Sequence, residues 1–191
     1  MGSKLIKRLF DICVSLLLLF VLLPFILIFW IISSINTQSN GFFFQERIGQ
    51  YGKVFTIYKL KSIHPKTRII SKWGSWMRKY KVDELPQLLN VLKGDMSIVG
   101  PRPDIAGYYD RLQGEERKLL ELKPGLTSEA SIKYASEEAI LALEEDPARF
   151  NDEILFPDKL QMNLAYYHAQ SLFLDIKIII KTVQTFCQQR K

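Results

Sequence analysis

Two adjacent carboxylates, Asp83 and Glu84, stand at the start of an apolar helical pattern and are the residues best suited to chemistry in this chain. Asp83 is predicted to be the N-cap of that helix, and Pro86 is tolerated because first-turn N–H groups have no intrahelical partner. The positive end of the helix dipole favours ionised carboxylates and also suits a phosphate. Arg102, held between two prolines, adds a planar phosphate donor. This combination predicts phosphoryl chemistry.

The helix that positions the pair is predicted to begin at Asp83 and to end at Lys93, with Gly94 closing it. Its apolar face is predicted to contain Leu85, Leu88, Leu89 and Leu92. From these residues alone a simpler interpretation stays open: the two carboxylates only cap a helix, and Arg102 is a solvated loop charge.

The sequence from Lys81 to Pro103 helps to distinguish a catalytic pair from a simple helix cap. It contains Asp-Glu-Leu-Pro-Gln-Leu, then Asn-Val-Leu-Lys-Gly-Asp-Met-Ser, then Gly-Pro-Arg-Pro. This ungapped series resembles the signature of bacterial sugar transferases, specifically the monotopic phosphoglycosyl transferases. The resemblance implies that Asp83 and Glu84 are a catalytic dyad.

The same resemblance implies a reaction. A sugar 1-phosphate would move from a nucleotide diphosphate sugar, commonly a UDP-sugar, to a membrane polyprenyl phosphate such as undecaprenyl phosphate. Asp83 would form an aspartyl phosphosugar intermediate. Asp83 and Glu84 would hold Mg²⁺, and Arg102 would grip a phosphate. Such a step begins glycoconjugate or exopolysaccharide assembly in bacteria.

Three further basic residues match the family pattern and are candidates for substrate binding. Lys59 and Lys61 follow Tyr58 in a Tyr-Lys-x-Lys element. They are predicted to contact a substrate phosphate or to form a basic strand face at the membrane surface. Arg78 precedes the dyad on a predicted helix, where it serves the substrate or is a solvated charge.

An uncharged run from Ile12 to Ile32 is long enough, at about 30 Å as a helix, to cross the hydrocarbon core. A signal peptide and a plain spanning helix are the simpler alternatives. Pro24 lies within the run and predicts a bend, and basic residues flank the run on both sides. We therefore expect a re-entrant helix that returns to its own face, as the resemblance also implies. Leu23 stands where the family has serine.

The remaining elements are predicted from periodicity and turn residues. Aromatic residues between Trp73 and Tyr80 fall on one helical stripe, typical of a core or of a lipid interface. Near the C-terminus, a helix with Ile176, Ile179, Ile180 and Val183 on one face is expected to lie in the membrane interface or in the core. The predicted elements are a hairpin over 42–60 that turns at Tyr51-Gly52, and helices over 73–80, 108–122, 137–149, 160–167 and 171–186.

These elements predict an α+β, mainly helical fold. Residues 1–40 would form the membrane anchor and residues 41–191 a catalytic domain on the cytoplasmic face of the bacterial inner membrane. The net charge of +6 suits anionic partners: nucleic acid, lipid or a phosphorylated substrate. Nucleic acid is not expected, since the basic residues form no compact recognition element. A membrane-anchored, non-enzymatic scaffold is the alternative function, and homo-oligomerisation is left open.

Overall fold

The computed structural model describes residues 2–188 and is mainly helical with two short two-stranded sheets, which confirms the α+β prediction. The chain divides into two compact units, the first formed by residues up to 47 with 54–98, the second by 48–53 with the residues from 99 onwards. The helices are α1 (Gly2–Thr37), α2 (Lys72–Lys79), α3 (Leu88–Lys93), α4 (Glu129–Lys133), α5 (Glu137–Leu141), α6 (Pro147–Phe150), α7 (Phe156–Ala169) and α8 (Leu172–Gln188). The strands are β1 (Phe42–Ile48), β2 (Val54–Leu60), β3 (Ser97–Val99) and β4 (Gly125–Thr127).

Helix α1 has 36 residues and is the one helix among residues 2–188 that is long and apolar enough to cross a membrane. Between Leu5 and Ile35 its exposed side chains are apolar; Phe20, for example, is 83% exposed. The side chains that it buries include polar ones, such as Asp11, Ser15 and Ser33. This arrangement is the reverse of a water-facing helix and fits a helix that presents its apolar side to lipid. Helical structure is continuous through Pro24, so the bend at this residue stays a prediction.

Both ends of α1 contact the rest of the first unit. Near the N-terminal end, the Arg8 guanidinium donates to the carbonyls of Val91 at 2.6 Å and Leu92 at 2.7 Å, the last turn of α3. Near the C-terminal end, the Ser33 hydroxyl donates to the Lys61 carbonyl. A straight helix of 36 residues would be about 54 Å long.

Strands β1 and β2 form the predicted hairpin. The chain turns through a 3₁₀ segment, Gln50–Gly52, in which Tyr51 (φ 59°) and Gly52 (φ 73°) are left-handed. The bond from the Lys61 amide to the Gly41 carbonyl places these two residues opposite each other. Residues of β1 and β2 therefore pair in a fixed register, with Phe44 opposite Tyr58 and Phe43 opposite Lys59. Alternate residues point to opposite faces, so the two pairs lie on different faces of the hairpin.

The helix predicted from Asp83 to Lys93 is two elements instead. A 3₁₀ helix, Val82–Gln87, precedes α3, and Gly94 in the left-handed conformation (φ 96°) ends α3 as predicted. The predicted apolar face is partly wrong, because Leu89 is exposed whereas Val91 and the polar Asn90 are buried. Pro86 lies inside the 3₁₀ helix, where its missing N–H costs no α-helical hydrogen bond.

In the second unit, the loop that carries Arg102 is held against β4. The Gly100 amide donates to the Thr127 carbonyl at 3.0 Å, and the Gly125 amide donates to the Pro101 carbonyl at 2.8 Å. A side chain on Gly125 would collide with the Gly100 backbone, so this close approach requires glycine.

Two helix predictions in the second unit are wrong in length. Between 108 and 122 the chain forms two short 3₁₀ helices, Tyr109–Arg111 and Glu116–Glu121, separated at Gly114 (φ 57°). The acidic stretch 137–149 contains α5 and the start of α6. The two C-terminal helices are confirmed as α7 and α8. Helix α8 buries Asp175 and Ile178.

Candidate active site

The dyad lies on the 3₁₀ helix of the first unit, and Asp83 is not its N-cap. Lys81 occupies the cap position in a left-handed conformation (φ 53°, ψ 22°) and makes no side-chain cap bond. Its carbonyl accepts from the Glu84 amide at 3.1 Å, which closes the first turn. Because Lys81 performs the backbone turn, the Asp83 carboxylate is not used as a helix cap.

Asp83 is buried, with 6% of its surface exposed, and its Oδ1 atom has no hydrogen-bond partner. Burial raises the pKa of Asp83 to about 6, and the adjacent Glu84 carboxylate adds to the effect. The cations Lys59, Lys81 and Arg78 oppose this rise in pKa. Asp83 is therefore ionised at neutral pH although one of its oxygens lacks the usual solvation. Such a carboxylate is suited to attack an electrophile or to bind a cation.

Glu84 and Lys59 form an ion pair that ties the 3₁₀ helix to β2. The Lys59 ammonium lies 2.9 Å from Glu84 Oε1, and the side chains are only 16% and 11% exposed. Lys59 is brought there by the alternation of β2, which directs it to the face opposite Tyr58. The predicted site residues Lys59, Asp83 and Glu84 are thus brought together, while their catalytic roles stay predictions.

Asn90 is a positioning residue that the sequence did not single out. Its amide donates to the Thr56 carbonyl at 2.7 Å, and its carbonyl oxygen accepts from the Tyr58 amide at 3.1 Å. The side chain is fully buried, so it fixes α3 against the backbone of β2. The one signal for this role is a polar residue on the buried side of an otherwise apolar helix.

The other predicted binding residues lie in different surroundings. Arg78, in the last turn of α2, is close enough to Asp83 to lower its pKa. Lys61 donates to the Ser39 hydroxyl at 3.0 Å, just beyond the end of α1. Arg102 is an exposed residue of the second unit, in the loop held by β4. Their roles toward a substrate stay predictions.

The dyad fits a magnesium ion in its donor chemistry. Mg²⁺ prefers hard oxygen ligands and is commonly held by one or two carboxylates together with substrate phosphates. Asp83 offers a buried, unpartnered carboxylate oxygen next to a second carboxylate. No group of three or more His, Cys, Asp or Glu side chains in the described part of the chain is arranged to hold a metal ion. A magnesium ion at this site would take its remaining ligands from water and from phosphate oxygens of the substrate.

Comparison with known proteins identifies the family. The sequence profile described as "Bacterial sugar transferase" matches residues 2–189, so the chain belongs to the bacterial sugar transferase family. The family predicted from the 81–103 stretch is confirmed, and with it the prediction of an enzyme rather than a scaffold.

Three relatives illustrate the similarity. The "Uncharacterized sugar transferase EpsL" of Bacillus subtilis (strain 168) is 34% identical over 189 residues, which cover 94% of this chain and 86% of the relative. The "UDP-glucose:undecaprenyl-phosphate glucose-1-phosphate transferase" of Klebsiella pneumoniae is 32% identical over 195 residues, 93% of this chain and 39% of the relative. The "Undecaprenyl-phosphate glucose phosphotransferase" of Komagataeibacter xylinus is 31% identical over 197 residues, 93% of this chain and 35% of the relative.

Proposed function

We propose that this protein transfers a sugar 1-phosphate from a nucleotide diphosphate sugar, with a UDP-sugar as the expected donor, to undecaprenyl phosphate. The names of the K. pneumoniae and K. xylinus relatives support the acceptor, and the former supports the donor class. The observation that carries the proposal is the buried Asp83 carboxylate, which has an unpartnered oxygen and sits beside the Glu84–Lys59 pair. This step would begin the assembly of a glycoconjugate or an exopolysaccharide.

Asp83 is the nucleophile of the first half-reaction. A carboxylate oxygen attacks the sugar-bearing β-phosphorus, and the bond from this phosphorus to the bridging oxygen breaks. The nucleoside monophosphate leaves with the electron pair, and Asp83 becomes an aspartyl phosphosugar. In the second half-reaction an oxygen of undecaprenyl phosphate attacks the same phosphorus. The product is a lipid-linked diphosphate sugar, and the Asp83 carboxylate is regenerated.

The positively charged side chains of the first unit are proposed to stabilise the negative charge that develops on the phosphate oxygens. Lys59 holds Glu84, and Lys81 and Arg78 add positive charge near Asp83. Asp83 and Glu84 would hold Mg²⁺, which when bound supplies charge neutralisation for phosphate oxygens. Arg102 and Lys61 are proposed to contact phosphates of the substrates, Arg102 through its planar fork.

The first half-reaction can be tested by itself, in the absence of the lipid acceptor. Wild-type protein incubated with Mg²⁺ and a panel of UDP-sugars, without lipid, should gain the mass of one phosphosugar and release nucleoside monophosphate. Asp83→Asn removes the attacking oxygen with little change in shape and should give neither product. A normal adduct in Asp83→Asn would contradict the role of Asp83. No release of nucleoside monophosphate from any donor by wild type would contradict the reaction itself.

Membrane attachment is proposed to be monotopic, with α1 entering and leaving the same face of the cytoplasmic membrane. The support is that both ends of α1 are tied to one unit, through Arg8 and Ser33, while the apolar middle is exposed. Helix α8 is proposed to lie in the interface, because Phe173, Ile176, Ile180 and Val183 are exposed along its length.

The topology can be tested at Pro24. A single cysteine near the N-terminus, in a background without Cys13 and Cys187, is probed with an impermeant thiol reagent on intact cells. The re-entrant arrangement predicts no labelling of the Pro24 protein and some labelling of Pro24→Ala, because alanine restores the hydrogen bond whose loss favours bending. Labelling of the Pro24 protein would show a spanning helix.

A further inference from the structure

Four aromatic side chains form a continuous row in the first unit, which we name the aromatic ladder: Trp30, Phe42, Phe44 and Tyr58. Neighbouring ring centroids are 5.8 Å apart for Trp30 and Phe42, 6.2 Å for Phe42 and Phe44, and 5.7 Å for Phe44 and Tyr58. The row ends at Lys93, whose ammonium lies 5.2 Å from the Tyr58 ring centroid and 2.8 Å from the Tyr58 hydroxyl.

The ladder lies on one face of the hairpin. Phe42 and Phe44 are two residues apart in β1 and share a face, and Phe44 stands opposite Tyr58 in β2. Phe43 and Lys59 point to the other face, where Lys59 pairs with Glu84. The ladder is thus on the face of the hairpin that is turned away from the dyad.

The ladder begins on the apolar helix. Trp30 belongs to α1, and its ring stacks directly on Phe42 of the hairpin. At the other end of the row, Lys93 is the last residue of α3. The carbonyls of the two residues before it, Val91 and Leu92, accept from Arg8, which lies near the start of α1. The aromatic row therefore runs from α1 to the last turn of α3, the turn that Arg8 also contacts.

The chemistry of the row is that of a membrane interface. Phe44 is 56% exposed, a large apolar surface for a side chain in water. The ends of the row combine rings with polar groups, since Trp30 Nε1 donates to Asn40 Oδ1 at 3.3 Å and Tyr58 accepts from Lys93. Aromatic rings with a polar tip are enriched at the headgroup level. Lys93, whose ammonium also lies 3.5 Å from Asp95 Oδ2, adds an exposed polar group at the end of the row. The next residue on this face, Glu46, is exposed and charged and marks where the apolar surface ends.

We propose that the aromatic ladder is a second membrane contact, which lies on the headgroup region of the bilayer and fixes the orientation of the first unit on the lipid surface. The proposal rests on the proposed anchoring of α1, because the ladder continues from that helix. Its partner is the lipid surface, which the row meets through Phe44 and through the Tyr58–Lys93 pair.

The experiment uses tryptophan as a depth probe in the full chain, reconstituted in vesicles of phosphatidylcholine and phosphatidylglycerol. Trp30, Trp73 and Trp76 are first changed to phenylalanine, which keeps a ring at each position. Phe44→Trp is then compared with Phe43→Trp, a neighbour that is also exposed, at 40%, but points to the opposite face. A nitroxide quencher is placed on the lipid headgroup or near the end of the acyl chain.

Phe44→Trp should lose about half of its emission or more to the headgroup quencher, and should lose little to the deep quencher, since the ladder lies at the interface. Phe43→Trp should lose clearly less to either. Equal quenching at the two positions, or stronger quenching at position 43, would overturn the proposal. Blue-shifted emission at position 44 without quenching, changing with protein concentration, would also overturn it and would indicate a second copy of the chain as the partner.

A third variant separates failure of the ladder from failure of the anchor. Phe20→Trp reports on the exposed middle of α1 and should be quenched by the deep nitroxide. Quenching at position 20 without quenching at 44 would refute the ladder and leave the anchor intact, whereas no quenching at 20 would refute the anchor. Each variant is used only if it retains the thermal transition of its parent, and phosphosugar adduct formation is measured in parallel.

Discussion

The two faces of one hairpin have opposite chemistry although their residues are neighbours in sequence. Lys59 reaches the dyad and pairs with Glu84 at 2.9 Å, whereas Tyr58, one residue earlier, joins a row of half-buried rings with the exposed Phe44 among them, a row that begins on α1. Both arrangements follow from the alternation of a short strand. A two-stranded hairpin can therefore hold a charged site on one side and an apolar surface on the other.

The largest expected effect is a difference in stability and turnover between a variant of Lys59 and a variant of its neighbour Tyr58. Lys59→Met removes the ammonium that pairs with the mostly buried Glu84, which should destabilise the fold by about 3 kcal/mol and reduce turnover at least tenfold. Tyr58→Phe keeps the ring and loses only a solvent-exposed bond to Lys93, so its turnover and melting temperature should stay close to wild type. Thermal unfolding and a nucleoside monophosphate release assay measure both effects. Similar losses in the two variants would contradict the division into a catalytic and a membrane-facing side.

Sequence patterns predict which secondary-structure elements form on the two faces, but they predict the local backbone geometry of these elements less well. Alternation and the Tyr51-Gly52 turn were enough for the hairpin, because a left-handed turn between two short apolar runs has few alternatives. The Asp-Glu pair was found because it begins a recognisable series. A lysine in the left-handed conformation leaves no mark in the sequence, so the sequence predicts Asp83 as the cap although Lys81 occupies that position.

Long-range contacts were the other part that the sequence did not predict. Asn90 was hidden within a leucine-rich helix, and its partners lie in β2, more than thirty residues earlier. The ladder was missed for the same reason, because it joins α1, β1 and β2 and no single segment has a pattern for it. In the second unit, the expected helix over 108–122 failed because Gly114 adopts a positive φ that periodicity does not detect.

A smaller effect is expected from the charge of Asp83. Its pKa in the folded protein, about 6, is above the ordinary value of 3.8, so the folded state binds this proton more tightly than the unfolded state. The contribution to stability is fully present below pH 4 and is lost as the pH rises through 6. Asp83→Asn should therefore raise the free energy of unfolding at pH 8, by at most about 3 kcal/mol, and the gain should vanish near pH 4.

Chemical denaturation of Asp83→Asn and wild type at a series of pH values tests this expectation. Glu145→Gln, an exposed carboxylate of the second unit, serves as the control and should show no comparable dependence. A destabilised Asp83→Asn at pH 8 would mean that burial of the Asp83 charge is not costly.

The smallest expected effect is a change in the pKa of Asp83, which tests whether a charge on the ladder face influences the dyad on the other face. The Glu84 carboxylate raises the pKa of Asp83, so Glu84→Gln should lower it, by up to about one unit, with Lys59 still present to favour the charged form. Glu46→Gln removes the same charge from the exposed ladder face and should leave the pKa of Asp83 unchanged. The measurement is the pH dependence of the Asp83 carboxyl ¹³C resonance, assigned by its loss in Asp83→Asn. An equal fall in both variants would show that the Asp83 carboxylate senses the net charge of the hairpin rather than the Glu84 carboxylate beside it.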